Sequence, residues 1–349
     1  MAADERDLMR TAIVLASAAH PHPNPRVGAI VVDRAGVVVG EGVHVEPGTP
    51  HAEALALAAA GERARGGVLV VTLEPCAHQG RTAPCAVAVL RSGVARVVVG
   101  AGDPDEQVAG RGIAALRKGG IDVQVGLPGV DAEAVDPGYF HHRRTGRPRV
   151  TLKMASTLDG QAAAADGSSR WITSPEARHD AHLLRSRSDA ILVGAGTVRV
   201  DDPELSVRLD GFSGRQPRPV VLTGRHPLPA DAKVLRRDPL VYAMRPIESG
   251  GEVTVLPGED GVDLAAVLDD LGKRDIVDLL VEGGPSVAGA FTRAGLVDRF
   301  VVYVAGAVAG GRGLATVEGV FATVADLARV EIKEVVRVGP DVRIDAEPA

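Results

Sequence analysis

Both cysteines of this 349-residue chain stand in Pro-Cys pairs, Pro75-Cys76 and Pro84-Cys85, and the triplet His51-Ala52-Glu53 lies upstream of them. Any fold that serves this pattern must bring positions 51, 76 and 85 to one point. One imidazole and two thiolates fix a zinc ion in a tetrahedral site and leave the fourth position for water. A carboxylate two residues after the His is placed to move protons at that position. Two alternatives stand beside this reading. The cysteines could pair as a disulfide, or His78 could supply a fourth ligand and make the ion structural. The opening Met-Ala-Ala-Asp-Glu-Arg has no apolar secretory stretch, which favours a reducing cytoplasm and free thiols.

The spacing resembles the H-x-E…P-C…C pattern of zinc-dependent base deaminases, in which the Glu is not a ligand. Partner classes are narrowed by charge. The formal net charge is −6, aromatics are 3%, and acidic residues outnumber basic ones both in residues 1–145 and in the remainder. A long nucleic-acid partner would call for phosphate-neutralising charge that neither half carries, so a small soluble substrate is expected. No apolar run is long enough to span a membrane.

Apolar runs and helical patterns alternate along the chain, which predicts an α/β layer architecture. Strands are expected at Val27–Val32 and Val37–Gly42, and an Ala/Leu-rich helix opens at Thr49 or Pro50 with His51 and Glu53 in its first turn. A strand at Val68–Leu73 hands over to the cysteine segment, a helix starts at Cys85, and a further strand and helix follow at Val94–Val99 and Gly110–Lys118. Both ligand clusters thus lie at strand-to-helix junctions, where helix N-termini favour thiolate. The stretch 138–150 is basic and turn-rich without apolar periodicity, and reads as a solvated linker between domains 1–145 and 146–349. A metal-ligand role for His141-His142 is the weaker alternative.

The second segment restarts a βαβα pattern at Val150. A buried-type strand, Ile276–Val281, runs into Glu282-Gly283-Gly284-Pro285-Ser286, where two glycines admit a phosphate to the backbone and Pro285 suits the first helical turn. A similar turn, Val193-Gly194-Ala195-Gly196-Thr197, leads to Asp201-Asp202-Pro203. Neither fits G-x-G-x-x-G with an acidic residue about 20 positions on, so a Rossmann fold is not indicated.

Further runs make a family resemblance specific. Leu73-Glu74-Pro75-Cys76-Ala77-His78-Gln79-Gly80-Arg81-Thr82, Asp103-Pro104, Leu158-Asp159-Gly160, Trp171-Ile172-Thr173-Ser174, Asp201-Asp202-Pro203 and Val281-Glu282-Gly283-Gly284-Pro285 resemble the bifunctional riboflavin-biosynthesis deaminase/reductases over nearly the whole chain. The resemblance implies a cytidine-deaminase-like α/β/α sandwich followed by a dihydrofolate-reductase-like α/β domain. It implies deamination of a diaminopyrimidinone bearing a 5-phosphoribosylamino arm, then reduction of the ribosyl arm to ribityl with NADPH. Assembly through the reductase domains, hence a homo-oligomer, also follows from it.

Residue by residue, the resemblance implies zinc ligands at His51, Cys76 and Cys85 and proton transfer by Glu53. Substrate contacts in the deaminase fall at Asn24, His44, His78, Arg81 and Asp103, with a core or loop histidine the alternative for His44 and a solvated loop for His78 and Arg81. In the reductase they fall at Ser169, Arg185, Leu205, Arg208 and Glu282, with Lys153 a polar partner for the ring or sugar. A helical arginine such as Arg185 is commonly just solvated. NADPH contacts are implied at Ala155, Trp171, Thr197, Asp201, Gly284, Pro285 and Ser286; for Trp171 the alternative is a core aromatic. Two departures stand out: Asp105 where the family often has Asn, and Gly224 where a polar cofactor contact falls. Arg199, Arg215 and Arg225 are equal candidates for a 2′-phosphate partner. Two other functions fit the motifs less well: a deaminase of another base, and a non-catalytic zinc-stapled binding protein.

Overall fold

The computed structural model describes residues 4–78, 83–311, 313–319 and 323–349, which fall into two units, Met1–Gly146 and Arg147–Ala349. In the first, the element order is α1 (Glu5–Ser17), β1 (Gly28–Val32), β2 (Val38–Val43), α2 (Ala52–Ala60), β3 (Val68–Leu73), α3 (Cys85–Ser92), β4 (Arg96–Ala101), α4 (Arg111–Lys118), β5 (Asp122–Val125) and α5 (Pro137–Thr145). The strands form one sheet in the order β2-β1-β3-β4-β5, with β1 antiparallel to both neighbours and β3, β4 and β5 parallel. β1 is buried at every position, as its unbroken apolar run requires of a strand covered on both faces. Leu8, Met9 and Ala12 of α1 pack on Ile30, Val70 and Val98 of the sheet.

α2 lies unusually close to β2. A Cβ built at Gly42 would fall 2.1 Å from the Ala52 carbonyl oxygen, so only glycine lets the helix seat there. This approach places the first turn of α2, with His51 and Glu53, against the sheet.

The expected linker is instead a helix. α5 is capped by the Asp136 carboxylate, which accepts from the Tyr139 amide, carries Pro137 in its first turn and ends at a left-handed Gly146. Tyr139, Phe140 and His142 are buried. The basic run is only partly solvated: Arg143 lies over the Tyr139 ring, and the exposed Arg144 lies over the Phe140 ring, each at i, i+4 spacing.

The second unit runs β6 (Arg149–Thr157), β7 (Gln161–Ala163), α6 (Pro175–Ser186), β8 (Ala190–Gly194), α7 (Ala195–Asp201), β9 (Arg218–Gly224), β10 (Leu240–Ala243), β11 (Glu252–Val255), α8 (Leu264–Lys273), β12 (Asp278–Val281), α9 (Pro285–Arg293), β13 (Arg299–Ala305), β14 (Leu314–Ala315), β15 (Val330–Val338) and β16 (Asp341–Pro348). Nine strands form a sheet ordered β11-β10-β9-β8-β12-β6-β13-β16-β15, parallel as far as β13 and antiparallel through the last two. β12, late in the chain, inserts between β8 and β6. That insertion brings the two glycine turns, at the C-terminal ends of β8 and β12, side by side, where open α/β sheets bind ligands. Among the described residues, no helix is long and apolar enough to cross a membrane.

Candidate functional site

His51 caps α2 and Cys85 opens α3, while Cys76 lies in the loop that leaves β3. Tertiary structure brings their donor atoms within 4.8 Å of one another. His51 Nδ1 is 3.2 Å from Cys85 Sγ and 3.7 Å from Cys76 Sγ. Tetrahedral zinc, with Zn–S about 2.3 Å and Zn–N about 2.0–2.1 Å, gives donor separations of roughly 3.5–3.8 Å, close enough to those observed that a small opening of the His51–Cys85 contact admits the ion. Both cysteines are free thiols, which removes the disulfide alternative. His78 is exposed and stands outside the cluster, so it does not complete a four-ligand structural site. A hydrogen bond from Cys85 draws the Cys76 thiol down to about 4, and the same contact together with burial pushes Cys85 up. Arg81 lies outside the described residues.

Glu53 follows in the first turn of α2 and is buried; burial raises its carboxyl to about 6. His44, also buried, packs its ring edge-on to His51 with centroids 5.1 Å apart. Its two nitrogens meet the Pro50 carbonyl at 3.3 Å and the Asn24 side-chain amide at 3.0 Å. Donation to the first and acceptance from the second fix one neutral tautomer, and burial lowers the His44 pKa accordingly. His44 is thus tied to Asn24 beside the metal cluster and is not an isolated core histidine.

Asp103 lies just beyond β4, whose end pairs with the end of β3, Leu73 opposite Ala101. Its carboxylate accepts from the Tyr139 hydroxyl at 3.0 Å and from the Asp105 amide at 2.9 Å, and burial raises it to about 6. The loop is held from below by Glu74, a buried residue given no role by the sequence. Its two oxygens accept from the backbone amides of Asp103, Gly110, Gly112 and Ile113 at 2.9–3.4 Å. Three of those amides open α4, so Glu74 also meets the positive end of a helix. A Cβ at Gly112 would fall 1.8 Å from the Pro75 carbonyl oxygen, so α4 sits directly on the cysteine loop. The only sequence signal for this role was the place of Glu74 next to Pro75-Cys76.

In the second unit, Lys153, Ala155, Glu282, Gly284 and Pro285 line one pocket of about 110 Å³ together with Met154, Ala162, Gly283 and Thr316. Thr197 faces it: a Cβ at Gly284 would lie 3.7 Å from Thr197 Oγ1. Arg185 is not a solvated helical arginine. Its forked edge donates to both Glu282 oxygens at 2.8 and 2.7 Å, and its third nitrogen donates to the Ser206 carbonyl at 2.9 Å. Burial alone would raise Glu282, but Arg185 wins and holds it at about 2. Burial lowers Lys153, and Glu282 opposes that shift. His182, one turn before Arg185, is lowered to about 4 by burial and by the charges of Arg185 and Arg208. It accepts from the Arg208 amide at 3.2 Å, and sequence reasoning missed it.

The other expected contacts divide. Trp171 is 68% exposed, so it is no core aromatic; Arg178 lies over its ring at 4.5 Å. Arg170, unremarked in the sequence, donates to the Asp201 carbonyl at 2.8 Å and so joins the segment of Ser169 and Trp171 to Asp201. Ser286 donates instead to the Glu318 carboxylate. The Leu205 side chain is fully buried in a core cluster with Ile191, Val193 and Val221, so only its backbone can face a ligand. Arg208 is exposed. Gly224 ends β9 with a φ of 65°.

Comparison with known proteins covers both units. Residues 2–101 match the family described as cytidine and deoxycytidylate deaminase zinc-binding region, and residues 148–344 match the RibD C-terminal domain. The riboflavin biosynthesis protein RibD of Escherichia coli K12 is 42% identical over 341 residues, covering 92% of each chain. The solved structure of Acinetobacter baumannii RibD (form 1) superposes with a TM-score of 0.92 at 36% identity, covering 99% of both chains. A diaminohydroxyphosphoribosylaminopyrimidine deaminase/5-amino-6-(5-phosphoribosylamino)uracil reductase from Thermotoga maritima gives 0.90 at 33% identity, again covering 99% of both.

Proposed function

Because the chain belongs to the RibD family of riboflavin biosynthesis proteins, bifunctional enzymes that join a zinc-binding deaminase to an NADPH-dependent reductase, we propose residue roles for each half. The N-terminal unit is cytidine-deaminase-like and the C-terminal unit is the RibD reductase fold. We assign the deaminase to residues 1–145 and the reductase to 146–349. The substrate is the diaminopyrimidinone with a phosphoribosylamino arm, and the deaminated product is the reductase's substrate.

In the first half His51, Cys76 and Cys85 hold the zinc, which when bound makes water a usable nucleophile near neutral pH. Glu53 carries protons to the ring nitrogen and the departing ammonia, a task suited to a carboxyl held near 6. Asn24, kept oriented by His44, and Asp103 hold the pyrimidine. In the second half NADPH supplies the hydride when bound, with Thr197, Gly284 and Pro285 against the cofactor and Trp171 and Asp201 at its edge. The Arg185–Glu282 pair keeps a carboxylate charged in the pocket wall, ready to accept sugar hydroxyls, and Lys153 donates to the sugar oxygen. Arg208, exposed beside His182, meets the phosphate. A cytoplasmic location and a homo-oligomer belong to the same reading.

The observation that carries it is the three-donor cluster with the buried Glu53 in the same helical turn as His51. The test is ammonia release from the diaminopyrimidinone substrate without NADPH, followed by NADPH oxidation once it is added. Both signals in wild type, with the first abolished by Glu53→Gln, are expected. Stoichiometric zinc with neither signal would overturn the assignment.

A further inference from the structure

α5 carries no residue assigned to substrate or metal, yet one of its side chains ties together the two loops that carry Asn24 and Asp103. Arg143 Nη2 donates to the Pro23 carbonyl at 3.1 Å, immediately before Asn24. Its Nε lies 3.4 Å from Asp105 Oδ2 as an ion pair, and its Nη1 is 3.3 Å from His142 Nδ1. The guanidinium lies over the Tyr139 ring, 5.1 Å from its centroid, and the hydroxyl of that ring holds Asp103. The i, i+4 spacing of Tyr139 and Arg143 on one helix turns both groups to the same side. Asn24 and Asp103 are far apart in sequence and belong to loops at different strands, so their separation is set by what bridges them.

From this we infer that Arg143 is a positioning residue for deamination: its guanidinium fixes the Asn24 loop against the Asp103–Asp105 loop, and Asp105 serves as its counter-ion and not as a substrate contact. A planar fork spreads its donors toward a carbonyl and a carboxylate in a fixed geometry, which the point-like ammonium of a lysine does not provide. The same pairing accounts for a carboxylate at position 105. An unpaired negative charge two residues from the buried Asp103 would be unfavourable, whereas one facing Arg143 is neutralised.

The inference rests on the deaminase reading above, and its test separates the two. The full-length Arg143→Met and Arg143→Lys variants are assayed for ammonia release over a range of substrate, for zinc content, and for NADPH oxidation on the deaminated product. Arg143→Met is expected to raise KM about tenfold with kcat changed by less than about threefold, because placement and not chemistry is lost. Zinc stoichiometry and the reductase rate stay at wild type, and Arg143→Lys falls between. Amide hydrogen exchange should rise at residues 24–26 and 103–110 in Arg143→Met, a readout that does not need turnover. Unchanged KM and unchanged exchange would overturn the inference, as would a fall in kcat that tracks zinc loss, since that marks a purely structural residue. If the Met variant does not fold, the Lys variant decides on the same measurements. Wild-type protein that releases no ammonia would sink the functional reading alone, and the exchange comparison would still judge Arg143.

Discussion

The two candidate sites hold their carboxylates in opposite electrostatic states. In the N-terminal unit Glu53 and Asp103 are both raised to about 6, chiefly by burial; Asp103 is met by a phenol and a backbone amide. In the C-terminal unit Glu282, in a pocket wall, is held at about 2 by a bidentate arginine. The difference follows the surroundings. A carboxyl that loses its hydration without gaining a forked cation is raised, whereas one met by a bidentate arginine is held charged.

Breaking the proton-transfer side has the largest expected effect. Glu53→Gln should lower deamination by about 10²–10⁴-fold while zinc binding and NADPH oxidation on the deaminated product persist. Equal loss of both activities would mean that the two sites are not independent. Next comes the clamp. Glu282→Gln leaves Arg185 buried without its counter-charge and should destabilise the reductase unit by about 3–5 kcal/mol, read as a lower Tm, with reduction lost. A Tm within error of wild type would show that the pair is not the stabilising contact its geometry suggests.

The comparison can be sharpened by pH. Glu282 has its folded pKa depressed from 4.5 to about 2, so its stabilisation is complete above 4.5 and is lost as pH falls through that window. Asp103 has its folded pKa raised from 3.8 to about 6, so the folded state binds the proton more tightly and stability declines as pH rises across that interval. Asp103→Asn should flatten the second slope and leave the first. Measured unfolding free energies with equal slopes in wild type and Asp103→Asn would refute the assignment. The smallest effect is spectroscopic. Trp171 is the sole tryptophan and is exposed, so NADPH should quench its emission, and Trp171→Phe should remove the signal without changing zinc content. Cofactor binding without quenching would place Trp171 outside the cofactor site.

Much of the first site was legible because its chemistry is local in type even though its members are distant. His51, Cys76 and Cys85 are of scarce residue types and Glu53 stands at a fixed offset from His51, and the strand-to-helix junctions that hold them follow from alternating apolar runs. The residues that were missed share a different character. Glu74, Arg143, Arg170 and His182 are ordinary charged or polar residues whose roles come from partners 26 or more positions away in sequence or from a neighbouring turn. The linker misreading has its own cause. Asp136-Pro137 and Gly146 were helix start and stop signals, but the basic run between them suggested solvent, and only packing shows that Arg143 and Arg144 cover aromatic rings.

The sequence by itself determined the α/β architecture, the two glycine turns and the candidates for metal donors and proton carrier, because each is written in residue type and short-range spacing. Tertiary structure decided that Arg185 clamps Glu282, that the Leu205 side chain belongs to the core, and that Asp105 faces Arg143. Those outcomes depend on which groups share low-dielectric space and must neutralise one another there, and charge pairing across a fold leaves no mark on local spacing.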